Sequence, residues 1–370
     1  MTVSTNHDRI GSDFATTDRR SGWAVNRVVD ATVGWRGGVS QPCLFVVPAL
    51  SWRRDPAAQH KRAYMGLLAD AFGAQLYRFR DERTVAEEVL GFDPSLVITM
   101  NVPWYGRVSD ALIRSLPDSI KLVTVHDDFR RQMHRRLASV IERSDAVIAP
   151  IHTPVLERCQ FPEIEDKFWS LPYFIPSDVH EFEFNFDSTR KCLLTGRVNS
   201  KYPIRCRALR MVPKDLISYQ PHPGYGQRTY ELAVTGTDYI ALLHEHLCAI
   251  TCGSIYRYVV AKYFEIPYAG TLLIAEDLPD LGRLGFEAGR HFVAIDQATD
   301  LRELVSDICR NPDNYRPIRQ AGQELVRRQH TEAVRRVEAK ALADEVLQFL
   351  SLESRTTSDC KLPPTVLATE

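Results

Sequence analysis

The chain has 370 residues, a formal net charge of -1, 44% hydrophobic and 25% charged residues. That length exceeds one ordinary core and suits two domains, and the near-neutral balance offers no bulk basic face for nucleic acid. No apolar run approaches the roughly 18–20 residues of a membrane span, the opening MTVSTNHDRIGSDFATTDRR lacks a signal-peptide core, and the 8 cysteines are scattered. A cytoplasmic protein with reduced thiols is the expectation.

Residues 1–40 are polar and carry the Gly-rich WRGGVS, which predicts a partly ordered lead-in. The run CLFVVPAL (43–50) reads as a buried strand. A helix over 60–72, a strand over 75–79, a helix over 84–90 and a strand over 95–100 follow. A helix over 109–115 then precedes the strand IKLVTV (120–125), and a helix over 128–143 precedes a strand over 146–150. Strands alternating with helices imply βαβ units and a parallel sheet, so residues 41–180 read as one doubly wound domain. Pro- and aromatic-rich chain over 151–188 is the candidate hinge. Regularity returns over 181–330 with strands near 191–196, 217–219, 247–251, 271–275 and 291–294, and with helices over 254–265 and 300–310. That predicts a second Rossmann-like domain. A last helix over 332–350 carries Ala339, Leu342, Ala343, Val346, Phe349 and Leu350 at helical spacing, a stripe that needs a surface to cover. It is expected to return to the N-terminal domain, and 353–370 reads as a disordered tail.

Two open parallel sheets place ligands outside the carboxyl ends of their strands, so the cleft between the domains is the expected site. Three segments supply groups for an anionic, sugar-bearing ligand. In GRVNSK after the strand KCLLT, Arg197 and Lys201 stand four residues apart, close enough to share a diphosphate, or else are surface cations of a solvated turn. Gly253 and Ser254 precede the expected helix, where free N–H groups would meet a phosphate, although Ser254 also suits an ordinary N-cap. Glu265 lies inside an apolar helix-to-strand crossing. A carboxylate there is solvated, paired with Lys262, or accepting two ribose hydroxyls. Pro267 should loosen or end the helix just past Glu265, and Gly270 should serve the turn. His244, His246, Cys248 and Cys252 could share one face of a strand as metal ligands, but buried small residues explain the cysteines better, and no metal is expected.

The strings KYFEIPYAGTLLIAE, DLGRLGFEAGRHFV and AGQELVRRQHT, in that order within residues 192–331, resemble the group 1 glycosyltransferases of the GT-B fold, in the branch with a short C-terminal domain. The resemblance implies two Rossmann-like domains facing across a cleft and a nucleoside-diphosphate-sugar as co-substrate rather than a bound cofactor. It implies that Arg197 and Lys201 bind the donor diphosphate and that Glu265, the second acid of the family's E-x7-E pattern, holds the ribose. Arg257 stands where the first acid would be, so the donor-sugar contact departs from the pattern. TVHDD looks like a strand end of the same family, which implies that His126 lines the cleft and offers Asp127 as an acid/base or a helix cap. Tyr225 would lie near the donor and could stack on its base. Arg130, Arg131, Arg135 and Arg136 form a solvated helix face or meet anionic lipid headgroups or an acceptor phosphate. The expected activity is transfer of a sugar to an acceptor held by the N-terminal domain, with retention and without metal. A non-catalytic glycan-binding or scaffold module and a nucleotide-sugar epimerase are the rivals.

Overall fold

The computed structural model describes residues 43–48, 59–79, 81, 83–101, 112–126, 140–151, 166–221 and 234–359. The N-terminal sheet contains β1 (Cys43–Pro48), β2 (Gln75–Phe79), β3 (Leu96–Asn101), β4 (Lys121–His126), β5 (Ala146–Ala149) and β6 (Phe168–Ser170). Their order is β2-β1-β3-β4-β5-β6, every pair parallel. The strands are apolar on both faces because both are covered. Phe45, Ile98, Val123 and Ile148 point into one core, while Leu44, Val46, Val97 and Leu122 point into the other. Helices α1 (Gln59–Phe72) and α2 (Val85–Leu90) connect the first strands.

The C-terminal sheet contains β7 (Thr189–Gly196), β8 (Ile217–Pro221), β9 (His246–Ile250), β10 (Leu272–Glu276) and β11 (Val293–Ile295), in the parallel order β11-β10-β9-β7-β8. Its helices are α3 (Pro203–Met211), α4 (Gly236–His244), α5 (Lys262–Tyr268), α6 (Leu301–Arg310) and α7 (Pro312–Gln329). Asp300 caps α6 by accepting the Arg302 and Glu303 N–H groups. Sequence patterning assigns α7 no element of its own. Its start is marked by Pro312, its interior holds Pro317, and its buried residues include Arg319, Gly322 and Gln323, so few apolar residues mark its inner face. Gly322 is required there: a Cβ would stand 2.6 Å from the His291 carbonyl oxygen and 3.3 Å from Pro267.

Helix α8 (Glu332–Asp359) crosses back, and Ala339, Leu342, Ala343, Val346 and Leu350 share a core with Tyr64, Met65 and Leu68 of α1. It runs to Asp359, past the expected start of a disordered tail. Where the chain re-enters the N-terminal side, Ile175 N–H donates to the His330 carbonyl at 2.8 Å and Glu332 N–H donates to the Ile175 carbonyl at 2.9 Å.

A second correction concerns residues 254–265. The expected helix from Ser254 is replaced by turns over 254–257, and α5 starts only at Lys262. Ser254 and Arg257 have φ of 61° and 57°, left-handed values that interrupt an α-helix and that residues with a Cβ seldom adopt. The chain just after the turn packs across: Tyr258 joins Val147 and Ala149 of β5, and Ile151 just beyond that strand, in one apolar cluster. Tertiary packing of this loop across the domain boundary overrides local helical preference.

Candidate active site

The carboxyl ends of β7 and β9 and the start of α5 converge on a cationic corner. Gly196 closes β7 with φ of 95°, and a Cβ there would lie 2.9 Å from Arg205 Nη1. Glycine thus lets the Arg205 guanidinium pass over the strand end. Arg205 is 4% exposed, on the face of α3 that also buries Ile204 and Ala208. Its Nη1 donates to the Arg197 carbonyl and its Nη2 to Thr251 Oγ1, both at a long 3.4 Å, and its Nε is buried without a partner. Beside it, Lys262 Nζ donates to Thr195 Oγ1 and Tyr239 OH, each at 2.7 Å. Burial pushes the Lys262 ammonium down to about 8, with Glu265 opposing and Arg205 assisting. Burial and the nearby Glu265 charge hold the Tyr239 phenol above its ordinary range, so it is a neutral partner. The hydrogen-bond partners of both cations are hydroxyls and a backbone carbonyl, not carboxylates. Two adjacent, largely dry cations with no carboxylate bonded to either favour an anion between them.

Glu265 lies one turn further along α5 and is 7% exposed. Burial raises its pKa, but the His60 charge, the His60 hydrogen bond and Lys262 together bring it below its ordinary value. Its Oε1 stands 2.6 Å from Nε2 of His60, which comes from the first turn of α1 in the N-terminal domain. The carboxylate is therefore neither solvated nor simply paired with Lys262; it is tied across the domains.

The remaining expected residues are placed as follows. Arg197 is exposed and Lys201 half-buried, and the Ile255 N–H donates to the Lys201 carbonyl at 3.0 Å, stitching the GRVNSK turn to the 254–257 turn. Gly253 does not offer its N–H to a phosphate from a helix end. That N–H donates to Glu276 Oε2 at 3.3 Å, and a Cβ at Gly253 would lie 2.7 Å from Leu278 Cδ1. Ser254 is no helix cap; its Oγ accepts from the Tyr256 N–H within the turn. Arg257 is exposed and donates to the Asp277 carbonyl at 3.3 Å. Close by, burial raises the Glu276 carboxyl against the Gly253 N–H and the Arg257 charge. His126 ends β4, is 1% exposed, and its Nε2 lies 3.1 Å from Thr124 Oγ1. Asp127, Tyr225, Arg130, Arg131, Arg135 and Arg136 lie outside the described residues. His244 sits on α4 rather than a strand and its Nδ1 meets the Ala269 carbonyl, while His246 Nδ1 meets the Leu242 carbonyl. Among the described residues no His/Cys/Asp/Glu group is arranged to hold a metal ion.

Sequence reasoning missed Arg205 and His60. Arg205 left one signal, an arginine within the apolar face Ile204-Arg205-Ala208. His60 left none, because only the tertiary fold brings α1 to α5.

Two parallel sheets of this kind, with a C-terminal helix crossing back, define a GT-B protein. Residues 205–342 match the glycosyl transferase-like family. The fold also matches the sucrose-phosphate synthase of Thermosynechococcus elongatus at 13% identity and a TM-score of 0.57, covering 84% of this chain and 100% of that one. The Anabaena protein HepE in complex with UDP and glucose matches at 10% identity and a TM-score of 0.54, covering 84% and 100%. The pneumococcal O-GlcNAc transferase GtfA, in complex with UDP and GlcNAc, matches at 14% identity and a TM-score of 0.44 over 68% of this chain, which spans 57% of that longer protein. No protein of curated function matches in sequence. Residues 205–342 are thus similar to the glycosyl transferase-like family, and the chain as a whole has the GT-B fold.

Proposed function

We propose that the protein transfers a sugar from a nucleoside-diphosphate-sugar to an acceptor held by the N-terminal domain, with the diphosphate seated against Arg205 and Lys262. The observation that carries this is the buried Arg205 guanidinium, with two long hydrogen bonds and an unpartnered Nε, next to an ammonium bonded only to hydroxyls. Arg197 and Lys201, on the turn above, add charge at the rim. As the glycosidic bond to the diphosphate breaks, negative charge grows on the leaving oxygen, and fixed cations in a partly dry site stabilise it without reorganising. Glu265 accepts hydrogen bonds from the ribose hydroxyls, and His126, at the carboxyl end of β4, is assigned the position nearest the sugar on the N-terminal side. Transfer with retention, attack from the leaving-group face and independence of metal are parts of the same proposal. UDP-sugars are the first donors to try, because HepE is in complex with UDP and glucose.

The test is incubation with a panel of UDP-, GDP- and dTDP-sugars, with and without acceptor. Acceptor-stimulated donor turnover is the expected result. A sugar isomer formed without transfer would identify an epimerase, and no change in any donor would leave a binding module. Lost turnover in Arg205→Met with intact folding would tie the activity to the cationic corner.

A further inference from the structure

The Glu265 carboxylate is the acid whose charge reaches Lys262, and its Oε1 is held at 2.6 Å by His60. The two side chains cover each other, with the Glu265 side chain 10% exposed and that of His60 26% exposed. The imidazole comes from the opposite domain, on α1, whereas the carboxylate sits on α5. A ribose hydroxyl reaching for Oε1 would find His60 already bonded there. Hydrogen bonds to a carboxylate are directional, and His60 takes one of the lone-pair positions of Oε1, whereas two vicinal ribose hydroxyls need both carboxylate oxygens approached from one side.

We propose that His60 is an internal competitor for the ribose-binding carboxylate, an autoinhibitory contact that the donor must displace from Glu265 before it can bind. This rests on the proposed ribose role of Glu265. Closing the pair ties α1 to α5 and keeps a buried carboxylate satisfied until a nucleotide arrives, which would otherwise be costly. Donor binding exchanges one hydrogen-bonded partner for another and frees α1 from the C-terminal domain. The apparent donor affinity is then the intrinsic affinity multiplied by the fraction of molecules in which His60 is withdrawn.

The experiment measures UDP binding by calorimetry to the full chain and to three variants, each first checked for a cooperative thermal melt. His60→Ala should bind UDP about tenfold more tightly than wild type, because the competitor is gone. His60→Arg keeps a permanent cation with a longer, forked reach and should bind more weakly than wild type. Glu265→Ala should bind weakly whatever the residue at 60. A second probe, 2′,3′-dideoxy-UDP, should show no gain on going from wild type to His60→Ala, since it has no hydroxyls for the released carboxylate. Equal or weaker UDP binding by His60→Ala overturns the competition while a loss in Glu265→Ala leaves the ribose assignment standing. An equal gain for UDP and the dideoxy probe overturns it too, because His60 would then obstruct something other than ribose. If UDP binds neither wild type nor His60→Ala, the ribose assignment and the competition fall together.

Discussion

At the scale of single residues, the site is governed by which charges lack an opposite charge bonded to them. Glu265 sits in KYFEIPYAGTLLIAE with Tyr263, Phe264, Ile266, Pro267 and Tyr268, all buried. A carboxylate in that neighbourhood persists only with a strong reason, and the fold supplies His60 in place of solvent. Glu265→Gln keeps one acceptor and loses the charge, so donor affinity should fall less than in Glu265→Ala, where a charge-assisted bond of about 1.5–3 kcal/mol is lost outright. Equal losses in a titration of both variants would show that the charge, not the hydrogen-bond geometry, is what the donor reads.

Lys262 gives a pH signature. Burial lowers its pKa to about 8 from 10.5, so the folded protein releases this proton before the unfolded chain does. The unfolded state binds more protons between those values, and stability therefore rises with pH across that window. Anion binding should move the opposite way. UDP affinity is expected to weaken as pH climbs from 7 to 9, while the protein without UDP melts no earlier. Lys262→Arg keeps its charge throughout and should flatten the affinity profile. An unchanged profile in that variant would remove Lys262 from the diphosphate site.

At the scale of elements, the most legible part was helix α8. Its stripe at Ala339, Leu342, Ala343, Val346 and Leu350 needed a partner, and all five are buried against the N-terminal core. Leu342→Ala and Val346→Ala should each destabilise the protein by roughly 1–4 kcal/mol through lost burial and a residual cavity. Chemical denaturation with a probe near Trp169, whose ring packs edge-on against Phe349, measures it. A change under about 0.5 kcal/mol, the size of an ordinary surface effect, would mean the helix merely rests on the domain.

The string AGQELVRRQHT reads differently once folded, because much of it is packing rather than chemistry. Gly322 admits His291 and Pro267, and His330 locks the crossover into α8. His330 Nε2–H donates to the Leu284 carbonyl at 2.8 Å, which leaves Nδ1 as the acceptor for Arg335 Nη2, also at 2.8 Å. Burial, aided by the Arg335 charge and opposed by the Leu284 bond, lowers the His330 pKa from 6.5 to about 4. The unfolded chain takes up this proton first as pH falls, so stability is fully present above pH 6.5 and declines towards pH 4, by roughly 3 kcal/mol. Melts at pH 7 and pH 5 should differ less in His330→Gln than in wild type. An identical difference would assign the acid sensitivity to other groups.

At the scale of the whole molecule, the two domains meet through ties that include the His60–Glu265 pair, the Tyr258 cluster and the backbone bonds joining Ile175 to His330 and Glu332. Hydrogen exchange should separate their roles. The Ile175 and Glu332 amides are expected to stay protected with or without UDP, since they form the crossover itself. Amides of the loop from Thr251 to Ala261 should slow on adding UDP, as the loop beside the cationic corner becomes ordered around an anion. Uniform slowing over the entire chain would argue for global stabilisation alone.

The sequence by itself determined what local pattern can determine. Alternating apolar strands and amphipathic helices specified two parallel sheets, and three motif strings marked the C-terminal half as glycosyltransferase-like. Gly270 marked the turn of the α5–β10 crossing, at φ of 75°, whereas Pro267 lies inside α5, which runs on to Tyr268. Only the tertiary structure decided the rest, because those outcomes depend on contacts between residues far apart in the chain. A helix-forming stretch at 254–261 became a turned loop because Tyr258 packs on the other domain. A buried face built from Arg319, Gly322 and Gln323 as well as Leu325 and Val326 hid α7 from a reading of apolar periodicity. Arg205 cannot be placed by spacing; its position is set by Gly196 yielding room at a strand end. His60 and Glu265 are 205 residues apart in sequence, and no periodicity within either helix could have joined them.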